Sequence, residues 1–419
     1  MLIEFKVENF RSFKKTQVFS MVAGSLQEHR KTNTQQAKLP GFDRILRAAV
    51  VYGPNAAGKT NLLRAMQFMK NFVVSSAGTT PGTPPPHTPF RLSKATAKAP
   101  SEFQITFAQD ETRYDYGFSV NGQRVCKEWL VEYATQRGRM LFERVYDDKT
   151  EEYRWKLSDF LKGKRSVWTQ STRPEELFLS KAIQLNNTQL LPVFAWFQKR
   201  LVIIVGPSLL NRALTLKLLD TADGKTKLLP FLRAADFGID GVDVQREQLQ
   251  LGAQVQLNAQ FFERKDATSI PNQIKISFAH KSDENEDVLF DFADESSGTQ
   301  RLFDAAGPWL NVFANGEVLL FDELDTSLHP KLARFLVEQF HSNKINNNNA
   351  QLVCTTHDTS LLDQDIFRRD QFWFVEKQKE SDSNLYPLTD FKPRGDEVIE
   401  RWYMRGKYGA VPVLAPIEE

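Results

Sequence analysis

Cysteine is nearly absent from this chain. Cys126 and Cys354 stand alone, both in apolar strand-like contexts. Two thiols this far apart exclude a disulfide-stapled scaffold and predict small buried residues in a reducing, cytoplasmic compartment. Long apolar runs are missing too. None approaches the roughly 18 residues that would cross a bilayer, so no membrane partner is expected. The opening strand interleaves Glu4, Lys6 and Glu8 with apolar residues, unlike a signal peptide. Charge of one sign is also lacking. Lys plus Arg number 54 and Asp plus Glu 52, so no global field draws the chain to nucleic acid. Sustained heptads are absent, which excludes a long coiled-coil arm. There is no Cys-x-x-Cys pair.

What is present is concentrated in two places. Gly53-Pro54-Asn55-Ala56-Ala57-Gly58-Lys59-Thr60 fits the pattern G-x-x-x-x-G-K-[ST] at every required position. The apolar run Ala48 to Tyr52 before it reads as a buried strand. Leu62, Leu63, Met66 and Met69 after it fall at helical spacing. The two glycines let the backbone curl around phosphates, and the amides from Asn55 to Thr60 point inward at a helix N-terminus. Lys59 is expected to reach the β- and γ-phosphates of ATP, and the Thr60 hydroxyl to ligate Mg²⁺. Far downstream, Val318 to Phe321 is an apolar run that ends in Asp322 and Glu323. Asp322 is placed to hold Mg²⁺, and Glu323 to act as the catalytic base that polarises the attacking water.

Three further segments carry weaker signals alone. Glu295-Ser296-Ser297-Gly298-Thr299-Gln300 is small, polar and opens a helix. Leu324 to Pro330 leads into an amphipathic helix from about Lys331 to His341, with Pro330 suited to the first helical position. Gln351 to Thr355 is another buried strand, followed by His357. In this order the segments resemble the signature motif, D-loop and switch histidine of ABC-type ATPases. The whole constellation resembles the SMC/RecF/OLD branch of that class. Within it the chain is most similar to the RloA-like ATPases of bacterial defence and abortive-infection loci. The Asn9-Phe10-Arg11-Ser12-Phe13 opening, Leu177 to Ser180, and the Arg405 to Pro412 tail carry the finer likeness. The signature departs from the usual Leu-Ser-Gly-Gly-Gln, and His329 stands where many relatives carry Asp.

The resemblance implies an α/β P-loop NTPase of the ABC-ATPase head type, with an antiparallel β-lobe and a short inserted helical lobe. It implies an ATP-binding, Mg²⁺-dependent ATP-hydrolysing switch. Such a chain works as a homodimer or higher homo-oligomer, in which Ser297 and Gly298 of one copy cap the γ-phosphate held by the other. His357 would contact the same phosphate. Arg11 is a candidate for the adenine contact. The stretch downstream of His357 is short for the nuclease domain of OLD proteins, so a nuclease effector is expected on a separate chain. A RecF-like repair ATPase that binds DNA directly is the alternative.

The expected division is an N-terminal half at 1–160, a helical insert at 161–253 and a C-terminal half at 254–419. Alternation through Phe103 to Phe107 and Tyr114 to Val120, with Asn121-Gly122 as a turn, marks the β-lobe. Arg173 to Ala234 reads as helical, and Gln254 to Phe292 as strands. Thr79 to Pro89 is a proline-rich loop, and Asn346 to Asn349 a polar loop without chemistry. The basic clusters Lys162 to Arg165, Lys199-Arg200 and Arg401 to Lys407 could touch phosphate backbones, but ordinary solvated surface is the favoured reading of each.

Overall fold

A computed structural model describes residues 1–206, 212–234, 238–248, 261–263 and 272–412. The chain forms two compact units. The first comprises Met1–Gly206, Asn315–Leu324 and Leu336–Glu419, and the second Pro207–Ala314 and Asp325–Phe335.

The first unit is built on a six-stranded sheet. In spatial order its strands are Leu201–Ile204, Val318–Phe321, Gln351–Thr355, Ala48–Tyr52, Phe372–Lys377 and Ser383–Pro387. The first five are parallel, and the last pairs antiparallel. The three central strands are wholly buried, as expected for a parallel sheet, and so read as continuous apolar runs. The Lys59–Ser75 helix follows directly from the Ala48–Tyr52 strand and its loop.

A seven-stranded antiparallel sheet completes this unit, running from Glu152–Leu157 at one edge through Leu2–Glu8 to Gln17–Ser20 at the other. It is the expected β-lobe, extended by the opening strands of the chain. Phe68 and Phe72 on the helix meet Phe103 and Phe118 on this sheet at centroid separations of 4.7 and 5.4 Å. Gln351 ties the two sheets together. Fully buried, it accepts from the Leu2 amide at 2.6 Å and donates to the Leu2 and Leu46 carbonyls at 3.0 Å.

One expectation needs correction. Leu201–Ile204, within the stretch read as helical, is an edge strand of the central sheet. Its Leu-Val-Ile-Ile run is too short for periodicity to separate strand from helix, and the β-branched residues favour the strand. Asn346, in the expected polar loop, is fully buried. It donates to the Phe340 and Ala350 carbonyls and accepts from the Ala350 amide, fixing the turn into the Gln351–Thr355 strand.

The second unit contains helices Arg212–Leu219 and Ala222–Ala234 and nearly all of Ser297–Asn315, with antiparallel strands Gly241–Gln248, Asn272–Lys281 and Asp287–Asp291. Phe278, Phe292 and Phe303 form its aromatic centre. Gly307 lets the Thr215 backbone approach, since a β-carbon there would lie 2.3 Å from the Thr215 nitrogen. Part of the Gln254 to Phe292 stretch lies outside the described residues. No helix among the described residues is long and apolar enough to cross a membrane.

Candidate nucleotide site

Three parallel strands of the first unit deliver the site from their carboxyl ends, where open α/β sheets bind ligands. Ala48–Tyr52 runs into the phosphate-type loop, Val318–Phe321 into Asp322, and Gln351–Thr355 into His357. Hydrophobic burial sets the strands, and the polar residues begin where the apolar runs stop.

The loop takes backbone conformations its sequence permits. Gly53 has φ 155° and Gly58 φ 118°, and Ala56 lies in the left-handed region at φ 59°. A β-carbon on Gly53 would lie 2.2 Å from the Val375 carbonyl oxygen. One on Gly58 would lie 2.5 Å from Ser383 Oγ and 2.8 Å from Ser12 Oγ. Gly58 caps the Lys59–Ser75 helix without a side-chain hydrogen bond, so the first helical amides stay open to an anion.

Lys59 is buried, and its ammonium donates to the Gly53 carbonyl at 2.8 Å and the Pro54 carbonyl at 3.3 Å. Its third direction faces His357 Nε2 at 3.0 Å. Thr60 Oγ1 donates to Asp322 Oδ1 at 3.2 Å. Asp322 is buried, and the same oxygen accepts from Thr355 Oγ1 at 2.7 Å. Thr355 Oγ1 in turn accepts from the Glu323 amide at 2.8 Å. Glu323 is exposed and sits at φ 52°, a left-handed conformation that costs free energy for a residue with a side chain. The Thr355 hydroxyl and the Leu324 amide bond to the Thr355 carbonyl hold it there.

Gly53 to Thr60, Asp322, Glu323 and His357 are thus brought together. Ser297 and Gly298 belong to the second unit. Ser296, not Ser297, supplies the local cap: its Oγ accepts from the Thr299 amide at 3.1 Å. Ser297 is left exposed at the start of the helix, and Gly298 allows close approach to the Ser327 carbonyl, 3.0 Å from where a β-carbon would lie. Arg11 is exposed at φ 50°, with its amide bonded to the Thr88 carbonyl at 2.8 Å. Partial burial, then the charges of Arg64 and Arg91, lower its basicity. None of the three arginines has an ion-pair partner among the described residues.

Sequence reasoning missed three positioning residues. Thr355 reads there only as strand. Ser12 Oγ accepts from Asn61 Nδ2 at 2.8 Å, and its carbonyl accepts from the Ser383 amide at 2.7 Å. Ser383 Oγ donates to the Ala57 carbonyl in the loop. Only Ser12, inside the Asn-Phe-Arg-Ser-Phe turn, left a trace in the sequence.

The donor set fits a hard cation. Among the described residues no group of three or more His, Cys, Asp or Glu could hold a metal by itself. The Thr60 hydroxyl and Asp322 carboxylate are oxygen donors at the mouth of a phosphate-type loop, where Mg²⁺ characteristically takes one or two protein ligands and completes its shell with phosphate and water.

Residues 48–189 and 217–363 match the family described as AAA domain, putative AbiEii toxin, Type IV TA system. The chain belongs to this family. It is an AAA-type nucleotide-binding ATPase domain with a P-loop α/β fold. Among solved structures it is similar to the SMC head domain from Thermotoga maritima, at 11% identity and a TM-score of 0.40, over 92% of this chain and 98% of that one. It is also similar to the SmcHead bound to the C-winged helix domain of ScpA, at 13% identity and 0.40, over 93% and 99%. No protein of curated function matches.

Proposed function

We propose that the chain is a Mg²⁺-dependent ATP-hydrolysing switch, the ATPase subunit of a toxin-type or anti-phage defence system that controls a separate effector, a nuclease. The observation that carries the ATPase reading is the continuous link Thr60–Asp322–Thr355–Glu323 beside Lys59 and His357. One hydroxyl organises the carboxylate for the metal and the backbone of the base at once.

In this reading Lys59 turns from its carbonyl partners to the β- and γ-phosphates, and the amides of Asn55 to Thr60 neutralise the remaining oxygens. Thr60 and Asp322 would hold Mg²⁺, which supplies charge neutralisation on the phosphates. Glu323 orients and deprotonates the attacking water. His357 donates toward the γ-phosphate as negative charge redistributes. Ser297 and Gly298 of a second copy complete the site, so that a cytoplasmic homodimer encloses ATP. The defence role rests on the family's toxin-type description and on the likeness of the opening and tail to abortive-infection ATPases.

A second reading, a RecF-like ATPase that binds DNA directly, draws on one observation: the unpaired cluster of Arg11, Arg64 and Arg91 next to the Ser12 turn. Phosphate release by the full chain with Mg²⁺-ATP, with and without DNA, separates the two. Turnover independent of DNA and abolished in Lys59→Ala supports the switch. Turnover that requires DNA and falls steeply with salt supports the second. No turnover in wild type overturns both.

A further inference from the structure

The Arg405 to Pro412 tail, which the nucleotide reading leaves without a task, is bolted onto Phe372–Lys377, the strand paired with Ala48–Tyr52, and onto its neighbour Ser383–Pro387. Tyr386 Oη donates to the Tyr408 carbonyl at 2.9 Å, and the Ala410 amide donates to Glu376 Oε2 at 3.0 Å. Gly409, at φ 68°, permits this: a β-carbon there would lie 2.6 Å from Glu376 Oε2. The short helix Ile399–Met404 is thereby held with two distinct faces.

Its inner face reaches the nucleotide site. Tyr403 packs on Tyr52, the residue before Gly53, at 5.8 Å, and stacks on Phe374 at 5.4 Å. Tyr52 Oη donates to the Asp358 carbonyl at 3.1 Å. Thr359 Oγ1 donates to Glu400 Oε1 at 2.8 Å. The loop that carries His357, and through it Lys59, is therefore hydrogen-bonded to this helix.

Its outer face is apolar and cationic. Val398, Trp402 and Met404 are 59%, 36% and 64% exposed. A cavity of about 460 Å³ opens between Arg394, Val398, Arg401, Trp402 and Lys407. Arg394, Arg401 and Arg405 have no ion-pair partner among the described residues. Lys407 is paired with Glu397, whose carboxyl that bond, together with the Tyr408 hydroxyl, holds down at about 2. Asp396 and Glu397 are the opposing charges on the cavity wall, against Arg394, Arg401 and Lys407. The face therefore offers an apolar centre with a net positive rim. That pattern suits an acidic protein segment with an apolar anchor, in which the rim steers and the centre binds. A phosphodiester backbone would leave Val398 and Met404 uncovered and meet Asp396, while Lys407, 4.8 Å from the Trp402 ring, already occupies stacking space.

We propose that this face docks an acidic segment of a partner protein, and that nucleotide at Lys59 changes its affinity through the Thr359–Glu400 bond. The proposal rests on the ATP reading and names where the switch is read out. Coupling of this kind is reciprocal and spans about 5- to 150-fold in affinity.

The test measures fluorescence anisotropy of a labelled Asp-Glu-Phe repeat peptide and of an oligothymidine against the full chain, with and without AMP-PNP and Mg²⁺. Wild type is expected to bind the peptide with an affinity that AMP-PNP shifts at least about five-fold. Arg401→Glu with Arg405→Glu should weaken peptide binding about ten-fold or more. Thr359→Val should keep peptide binding and AMP-PNP binding but lose the shift between them. Peptide binding unchanged by the charge reversal, or oligothymidine displacing the peptide, overturns the proposal. So does peptide affinity that ignores AMP-PNP while AMP-PNP itself binds. Failure of AMP-PNP to bind wild type at all overturns instead the ATP reading beneath it.

Discussion

Lys59 Nζ lies 3.0 Å from His357 Nε2, and these two residues come from opposite ends of the chain. An ammonium has donors only, so in this arrangement His357 accepts from Lys59 at Nε2, and it can donate there only once the lysine has left. The lysine also donates to the Gly53 and Pro54 carbonyls. Phosphate must draw the lysine out of that arrangement. His357→Ala is expected to lower kcat about a hundred-fold while ATP still binds, and Lys59→Ala to remove binding itself. Single-turnover phosphate release beside an equilibrium binding measurement distinguishes the two effects.

Thr355 connects the candidate metal ligand to the candidate base. Thr355→Val keeps the shape of the buried site but leaves the Glu323 amide without its acceptor at φ 52°. The expected cost is about 1–3 kcal/mol in organising the site, seen as slower hydrolysis and a higher Mg²⁺ requirement with the fold intact. A Mg²⁺ titration of turnover with unchanged midpoint would remove Thr355 from the site.

Glu323→Gln should retain ATP and lose turnover by about 10²- to 10⁴-fold. If Ser297 of a second copy closes the site, this variant accumulates as an ATP-bound dimer. Light scattering with and without Mg²⁺-ATP reads the mass directly, and an active variant would take the base role away from Glu323.

Gly58→Ala tests the link between the phosphate loop and the Ser12 turn. The added methyl meets Ser383 Oγ and Ser12 Oγ in a backbone conformation that L residues avoid. A loss of about 1–3 kcal/mol is expected, with nucleotide affinity falling alongside. Thermal unfolding with and without ATP should show that ligand stabilisation shrinks as well.

His341 predicts acid sensitivity. Burial first, then His29 and Arg47, push its pKa down to about 3, against about 6.5 in the unfolded chain. The unfolded chain therefore binds more protons between those values. Stability is full above about pH 6.5 and falls as the pH drops toward 3. By pH 5 the loss is about 2 kcal/mol. His341→Gln should flatten the fall in Tm between pH 7 and 5, and an equally steep fall in the variant would rule His341 out as its source.

Much of this was legible because it is local. The strand before Gly53, the loop glycines, Lys59, Thr60 and the Asp322-Glu323 pair each announce themselves within a short window, where an apolar run ends and polar residues begin. The positioning residues are not legible that way. Gln351 is an ordinary glutamine until its amide bridges Leu2 and Leu46. Leu201–Ile204 becomes a strand because Val318–Phe321 lies beside it. Nothing local marks Arg144 and Glu128, yet they form a fully buried pair at 3.1 Å.

The sequence by itself determined that a phosphate-binding loop sits between a buried strand and a helix, and that a carboxylate pair ends another strand. Those features follow from backbone conformational preference and hydrophobic burial, which act between near neighbours. Only the tertiary structure decided that Thr355 joins Asp322 to Glu323, that His357 faces Lys59, and that the Arg405 to Pro412 tail holds a helix against Tyr52. Such contacts depend on which strands pair and in what register, and that is settled by burial of the whole sheet.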